Sequence, residues 1–316
     1  MAAIGKSPLS HRISSLEVKE NIAAYLFISP WIIGTVIFLI IPLGMSLYAA
    51  FTRWTIINPP PRWIGFENYE YMFSKDNYFL LSLGITFKYM IMYLPLSIIL
   101  GVLLALLLNS KLKGMNFFRT VFYIPAVVTG VGVSLLWLSL LDPKLGAINT
   151  VLRGLGVINP PNWINSPTWA VPSLVFMSLW GVGGSAIIYL AGLQNIPEHL
   201  YEAAEIDGAG RLAKFWKITI PLLSPTLFFM LITGLIGAFQ VFQQAYILGG
   251  GTKFWAAKWM RFYVLHIYIM AFQEGKMGYG SALAWILVII AAIAVIIAFK
   301  LFERRVFYEE GGKERG

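Results

Sequence analysis

Six stretches without a charged side chain decide most of what this chain can become. Asn21 to Thr52 is a run of 32 residues containing no Asp, Glu, Lys or Arg. Further neutral runs lie between Lys88 and Lys111, between Arg119 and Asp142, between Arg153 and Glu198, from Ile218 to Thr252, and from Met277 to Phe299. Each is near or above the roughly 20 apolar residues needed to cross about 30 Å of hydrocarbon as a helix. Composition agrees. The 316 residues are 58% hydrophobic and 12% charged, whereas soluble domains hold roughly 45–50% and 25%. So few charges cannot cover a water-soluble globule of this size. The sequence predicts an all-α polytopic membrane protein with six transmembrane helices.

The predicted organisation follows from the runs. Residues 1–22 form an N-terminal segment and 23–51 the first transmembrane helix, whose apolar core runs from about Tyr25 to Ala50. A loop covers 52–78. Five further helices fill 79–302, starting near Phe79, Arg119, Trp169, Ile218 and Met277, and 303–316 form a tail. The first run is too long for the 7–15-residue apolar region of a cleavable signal, and no small-residue cleavage pattern follows it. Its Pro30 and Pro42 are tolerable in a membrane helix.

Six spans put both termini on one side. The segments on that side carry 14 Lys and Arg against 9 in the opposite loops, with Lys88 near a helix end. Positive loops stay cytoplasmic, so both termini are expected in the cytoplasm. The net charge of +9 is spread over the ends of apolar runs rather than gathered in a stripe. It therefore anchors the chain at lipid rather than at nucleic acid. No cysteine is present, and His11, His199 and His266 have no metal-ligand spacing, so neither a metal nor another cofactor is expected.

The segment 194–221, between the fourth and fifth helices, carries the most information. Pro197-Glu198 is a helix-start signal. Leu200, Ala203, Ala204 and Ile206 form a short apolar stripe, and Asp207-Gly208 stops the helix. A second short helix is predicted from about Gly210 to just before Pro221. On spacing alone, an ordinary amphipathic connector looks the same.

The residues themselves go further. Glu202-Ala203-Ala204, three residues, Gly208, nine residues and Ile218-Thr219-Ile220-Pro221 resemble the EAA loop of permeases from binding-protein-dependent ABC importers. The final Ile220 stands where leucine is usual. Trp63-Ile64-Gly65-Phe66-Glu67-Asn68-Tyr69, Arg119-Thr120-Val121-Phe122-Tyr123-Ile124-Pro125 and Arg304-Arg305-Val306-Phe307-Tyr308 resemble other segments of the same family. They are most similar to the first permease of sugar-importer pairs, of the maltose or glycerol-phosphate type.

The resemblance implies a type I importer transmembrane domain in a heterodimer with a second permease. It also implies two cytoplasmic ATPase subunits, an extracytoplasmic solute-binding protein and a sugar or oligosaccharide substrate. Glu202, Ala203, Ala204, Asp207, Gly208 and Ala209 would then form the contact with an ATPase. No phosphate-binding loop occurs; the nearest candidate, Gly249-Gly250-Gly251-Thr252-Lys253, lacks the spacing. ATP hydrolysis would belong to another chain, and this one is not expected to be an enzyme.

A path for sugar needs amides and aromatic faces inside the bundle. The fourth and fifth helices supply candidates in Trp180, Gly184, Gly237, Gln240, Gln243 and Gln244. On a continuous helix, Gln240 and Gln244 share one face. The same residue types also glue membrane helices together. An ion-coupled secondary transporter or channel is the alternative, and it commonly needs carboxylates or histidines within the spans. The six runs offer none.

Overall fold

The computed structural model describes residues 15–57, 60–110, 112–251 and 258–303, with side chains from residue 20 onward. The segment Arg304–Tyr308 and the N-terminal Lys6 and Arg12 lie outside these residues, as do Thr252 and Lys253 of the glycine run.

The chain is built around α4 (Phe79–Leu108), 30 residues long with Pro95 inside it. It packs against α8 (Ala170–Leu179), α9 (Val182–Gln194), α12 (Ile220–Phe239) and α14 (Tyr263–Tyr268). Arg119 ends α4, donating from Nε and Nη2 to the carbonyl of Leu108 at 3.3 and 3.0 Å. A cation there satisfies orphan carbonyls and opposes the negative end of the helix dipole.

The N-terminal span is one helical stretch, α1 (Ser15–Thr35), a π-helical turn (Val36–Ile40) and α2 (Ile41–Ala50). It meets the rest through α2 packed on α15 (Met277–Phe302). Elsewhere its side chains face outward, Phe27 being 87% and Phe38 81% exposed. The loop that follows is structured. β1 (Thr52–Arg53) pairs antiparallel with β2 (Arg62–Trp63), and α3 (Glu67–Ser74) comes next. Buried Asn68 donates to the carbonyls of Ala50 and Thr52 at 2.9 and 3.0 Å, holding α3 to the end of α2.

Four helical stretches are long and apolar enough to cross a membrane, and two bent pairs bring the number to six if each pair is one span. Two bends and one short interruption divide the third, fourth and fifth helices, which the sequence leads one to expect as continuous. The third is α5 (Met115–Val127) and α6 (Gly130–Leu140), bent by 89° where Val128 and Thr129 become extended. The fourth is α8 and α9, bent by 50° at Trp180-Gly181. The fifth is α12 and α13 (Gln243–Leu248), interrupted from Gln240 to Phe242.

Glycines and a proline supply the local reasons. A Cβ on Gly183 would lie 1.8 Å from the carbonyl oxygen of Phe122, so α9 meets the backbone of α5 where only glycine fits. Pro125 lies inside α5, one turn before its break, and removes a helical hydrogen bond. The predicted stop before Pro221 does not occur. After α11 (Arg211–Lys214) a π-helical turn (Phe215–Thr219) runs directly into α12. Pro221 has no N–H to return to the preceding turn, and the wider π turn absorbs the misfit.

Candidate functional site

Two sites are separated along the bundle. At one end, α10 (Glu198–Ile206) lies between α9 and α11. Pro197, with extended backbone at φ −60° and ψ 129°, turns the chain into it, and Glu198 occupies the first turn where negative charge is favoured. Its end is a Schellman turn. Ala209 N–H donates to the carbonyl of Ala204 at 2.8 Å and Gly208 N–H to that of Glu205 at 3.0 Å, with Gly208 at φ +78°. Glycine takes that left-handed conformation without a Cβ penalty.

This turn fixes what the loop presents. Glu202, Ala203, Asp207 and Gly208 are exposed, while Ala204 and Ala209 are half-buried against the loop itself. Glu202, Ala203 and Ile206 share one face of α10, and Ile206 is 87% exposed. Leu212 and Trp216 are exposed nearby, at 76% and 62%. Covering Ile206 alone is worth about 1.5–3 kcal/mol. Behind the face the loop is braced. Tyr201 Oη and Thr219 Oγ1 are 2.9 Å apart, tying α10 to the π turn that leads into α12. Lys214 hydrogen-bonds the carboxylate of Glu205 and holds that carboxyl below its ordinary range.

The second site is a cavity of about 560 Å³ in the middle of the bundle. All three interrupted spans reach it. Val128 and Gly130 come from the first break, Trp180 and Gly181 from the second, and Gln240 and Val241 from the third. Unwound backbone at membrane depth is tolerated where it lines a cavity or is buried in protein, so bends and cavity are one feature. On the α4 side Tyr89 and Tyr93 stack at 5.1 Å and 11°. Tyr89 is fixed by donating to Ser178 Oγ at 2.9 Å, and Ser178 donates to the carbonyl of Leu174. Trp180, 54% exposed, is braced edge-on by buried Trp137 at 6.1 Å.

Four of the six predicted path residues line this cavity: Trp180, Gly237, Gln240 and Gln244. Gly184 and Gln243 lie elsewhere. A Cβ on Gly184 would sit 3.0 Å from that of Ala126, and the Gln243 amide oxygen packs against Gly130, 2.8 Å from where a Cβ would be. Gln240 and Gln244 converge across a chain break rather than along one helical face, because α12 ends at Phe239. Its lining residues include no Asp, Glu, Lys, Arg or His.

A buried polar chain escaped the sequence reading. His266 and Asp76, at 0% and 3% side-chain exposure, are joined from Nε2 to Oδ2 at 2.7 Å. Arg261 Nε donates to His266 Nδ1 at 3.1 Å. A guanidinium has no acceptor, so Nδ1 accepts and Nε2–H donates to Asp76. Tyr279 donates to the same carboxylate oxygen at 2.5 Å, and Tyr78 N–H reaches Oδ1 at 2.8 Å. Burial works against the Asp76 charge, but the hydrogen bonds from His266, Tyr279 and the Tyr78 amide outweigh it and hold the carboxyl at about 2. Arg261 also lies over the Tyr78 ring at 3.9 Å. The chain locks the start of α4 to α14 and α15 at the end of the bundle opposite α10.

The comparisons with known proteins agree with this architecture. Residues 78–308 match the family described as binding-protein-dependent transport system inner membrane component. The chain is 39% identical over 292 residues to the probable ABC transporter permease protein YesP of Bacillus subtilis, covering 92% of this chain and 94% of that one. It is 32% identical over 270 residues to the multiple sugar-binding transport system permease protein MsmF of Streptococcus mutans, with 85% and 91% covered. Among solved structures it superimposes with a TM-score of 0.80 on a chain of a bacterial ABC transporter that imports the acidic polysaccharide alginate. That match is 25% identical and covers 92% of this chain and 98% of the other. The chain thus belongs to the family of inner membrane components of binding-protein-dependent transport systems, as an ABC transporter permease.

Proposed function

We propose that this chain is one of two permease subunits of an ATP-driven importer for a neutral sugar or oligosaccharide. It sits in the cytoplasmic membrane with both termini inside. The observation that carries the reading is the cavity at the three breaks: two stacked tyrosines, a tryptophan and two amides, with no charged residue in its lining. Aromatic faces and amides suit a polyhydroxylated neutral ligand, whereas an anion would need a cation that this wall does not supply. The alginate transporter to which the chain is similar is involved in the import of an acidic polysaccharide; the uncharged lining here supports a neutral saccharide instead.

The cavity is open on one side, and a second permease would close it. The exposed α10 face would seat on a cytoplasmic ATPase subunit, with Ile206 and Ala203 in contact and Glu202 and Asp207 available to basic groups there. Closure of two ATPases on ATP would draw the α10 loops together and turn the cavity from the binding-protein side to the cytoplasm. Thr219 and Tyr201 would pass that movement directly into α12.

The test is uptake into proteoliposomes holding this chain with the permease, ATPases and binding protein encoded beside it. ATP inside the vesicles should drive accumulation of neutral oligosaccharides, and acidic oligosaccharides of equal length should not compete. Uptake driven by a proton or sodium gradient without ATP contradicts the reading.

A further inference from the structure

Four aromatic rings form a ladder from the edge of the cavity to the end of the bundle opposite α10. Phe242 lies in the third break, between Val241 and Gln244, which line the cavity. It stacks on Tyr246, one turn along α13, at 5.6 Å and 24°. Tyr268, at the end of α14, meets both rings, 5.2 Å from Phe242 and 5.5 Å from Tyr246. Phe272 continues from Tyr268 at 5.4 Å and 31°, on the π-helical turn (Ile269–Gln273) that follows α14.

The direction of the ladder comes from α14. At its start Tyr263 N–H donates to Thr86 Oγ1, well inside α4, at 3.0 Å, whereas His266 one turn on reaches Asp76, ahead of α4. Because α4 runs from Phe79 toward the α10 end, α14 climbs the opposite way and Phe272 stands at the surface, 59% exposed. Phe242, Tyr246 and Tyr268 are half-buried, each leaving part of its ring open. The open rings therefore lead from the surface to the cavity.

We propose that this ladder is the entry track for the saccharide, an inference that rests on the importer reading above. A neutral sugar ring stacks on Phe272, passes over Tyr268 and Tyr246, and is handed at Phe242 to the amides of Gln240 and Gln244. A sugar ring has apolar C–H faces and hydroxyls at its rim, so an aromatic face suits the one and a tyrosine hydroxyl the other. Near-equal steps give sites of similar strength, and a ligand advances along such sites without being trapped at one of them. An acyl chain would cover the rings but offers the two phenols no hydrogen bond, and nothing about it explains why the ladder ends at the cavity.

The test is neutral oligosaccharide accumulated per ATP hydrolysed, in proteoliposomes holding the complete transporter with loaded binding protein, for wild type, Phe272→Leu and Phe272→Tyr. Phe272 is exposed, so neither change disturbs the core. Leucine keeps an apolar surface and loses the aromatic face, whereas tyrosine keeps the face. Phe272→Leu should carry about two- to tenfold less sugar per ATP, the value of one aromatic stacking contact, with stimulated hydrolysis retained. Phe272→Tyr should match wild type. Equal sugar per ATP in wild type and Phe272→Leu overturns the track and leaves the importer reading standing, as does an equal loss in both variants. Release of the second permease by Phe272→Leu also overturns it and makes the ladder a contact between subunits. A wild type that accumulates no sugar with ATP overturns the importer reading, and the track with it.

Discussion

Tyr89 donates its hydroxyl to Ser178 Oγ at 2.9 Å, joining the middle of α4 to the last turn of α8 immediately before the chain breaks at Trp180. The bond is asymmetric. Ser178 also donates to the Leu174 carbonyl at 2.8 Å, so Tyr89→Phe leaves it satisfied and should cost about 1 kcal/mol. Ser178→Ala instead strands the hydroxyl of Tyr89, whose ring is 3% exposed, and should cost about 1–3 kcal/mol. Thermal unfolding of the detergent-solubilised complex should rank Ser178→Ala below Tyr89→Phe, and the reverse order would contradict the geometry.

The three amides after α12 are neighbours in sequence with different surroundings. Gln240→Leu and Gln244→Leu each remove a polar group from the cavity, whereas Gln243→Leu changes a contact with Gly130. Each cavity variant should raise the KM for uptake by roughly tenfold, the value of one well-placed hydrogen bond. Gln243→Leu should leave KM within about twofold. Uptake kinetics at matched expression give the comparison, and a KM effect largest for Gln243→Leu would exclude this arrangement.

Close packing makes a graded prediction at three glycines. Gly183→Ala drives a methyl into the Phe122 carbonyl, 1.8 Å away, where backbone must move. It should destabilise by about 3 kcal/mol, the upper end for overpacking. Gly184→Ala meets the methyl of Ala126 at 3.0 Å and should cost less, and Gly237→Ala meets nothing within 4 Å. Yield and melting temperature of the purified complex should follow Gly237→Ala, Gly184→Ala, Gly183→Ala in descending order.

Acid should act through Asp76. Its carboxyl is held at about 2 against an ordinary 3.8, equivalent to about 2 kcal/mol at roughly 1.36 kcal/mol per tenfold change in proton affinity. Because the folded value is the lower one, this stabilisation is complete above about pH 4 and is lost as pH falls through about 2. Denaturation of wild type and Asp76→Asn should show a gap that narrows by about 2 kcal/mol between pH 5 and pH 2. A gap independent of pH would remove the carboxylate from the account.

The positions and order of the apolar spans were legible because bilayer thickness imposes a length and a charge-free composition on each run, and their number is six when each bent pair is one span. The breaks were not. Val128, Gly181 and Gln240 lie inside runs of suitable length, and membrane helices also carry glycine and proline without breaking. The α10 loop was readable to its last turn, since Gly208 and Pro197 act through local backbone geometry. Two of the amides were placed in the cavity for an incomplete reason: their convergence depends on a break, not on helical periodicity. The Asp76–His266 pair left no local signal, its members being 190 residues apart in sequence. One sits in a loop outside the runs and the other in the short α14, which no charge-free window marked.

In the proposed function, ATP hydrolysis on another chain reaches the cavity through α10. The most direct test of that coupling is ATPase activity of the reconstituted complex, titrated with solute-loaded binding protein, for wild type and Gly208→Asp. Aspartate at φ +78° costs about 1–2 kcal/mol in backbone strain and adds charge beside Asp207, at the exposed turn and far from the cavity. We predict that loaded binding protein stimulates the wild type, and that Gly208→Asp loses most of this stimulation while the complex still assembles. Full stimulation in Gly208→Asp, with the ATPases bound as tightly as in wild type, would contradict coupling through this loop.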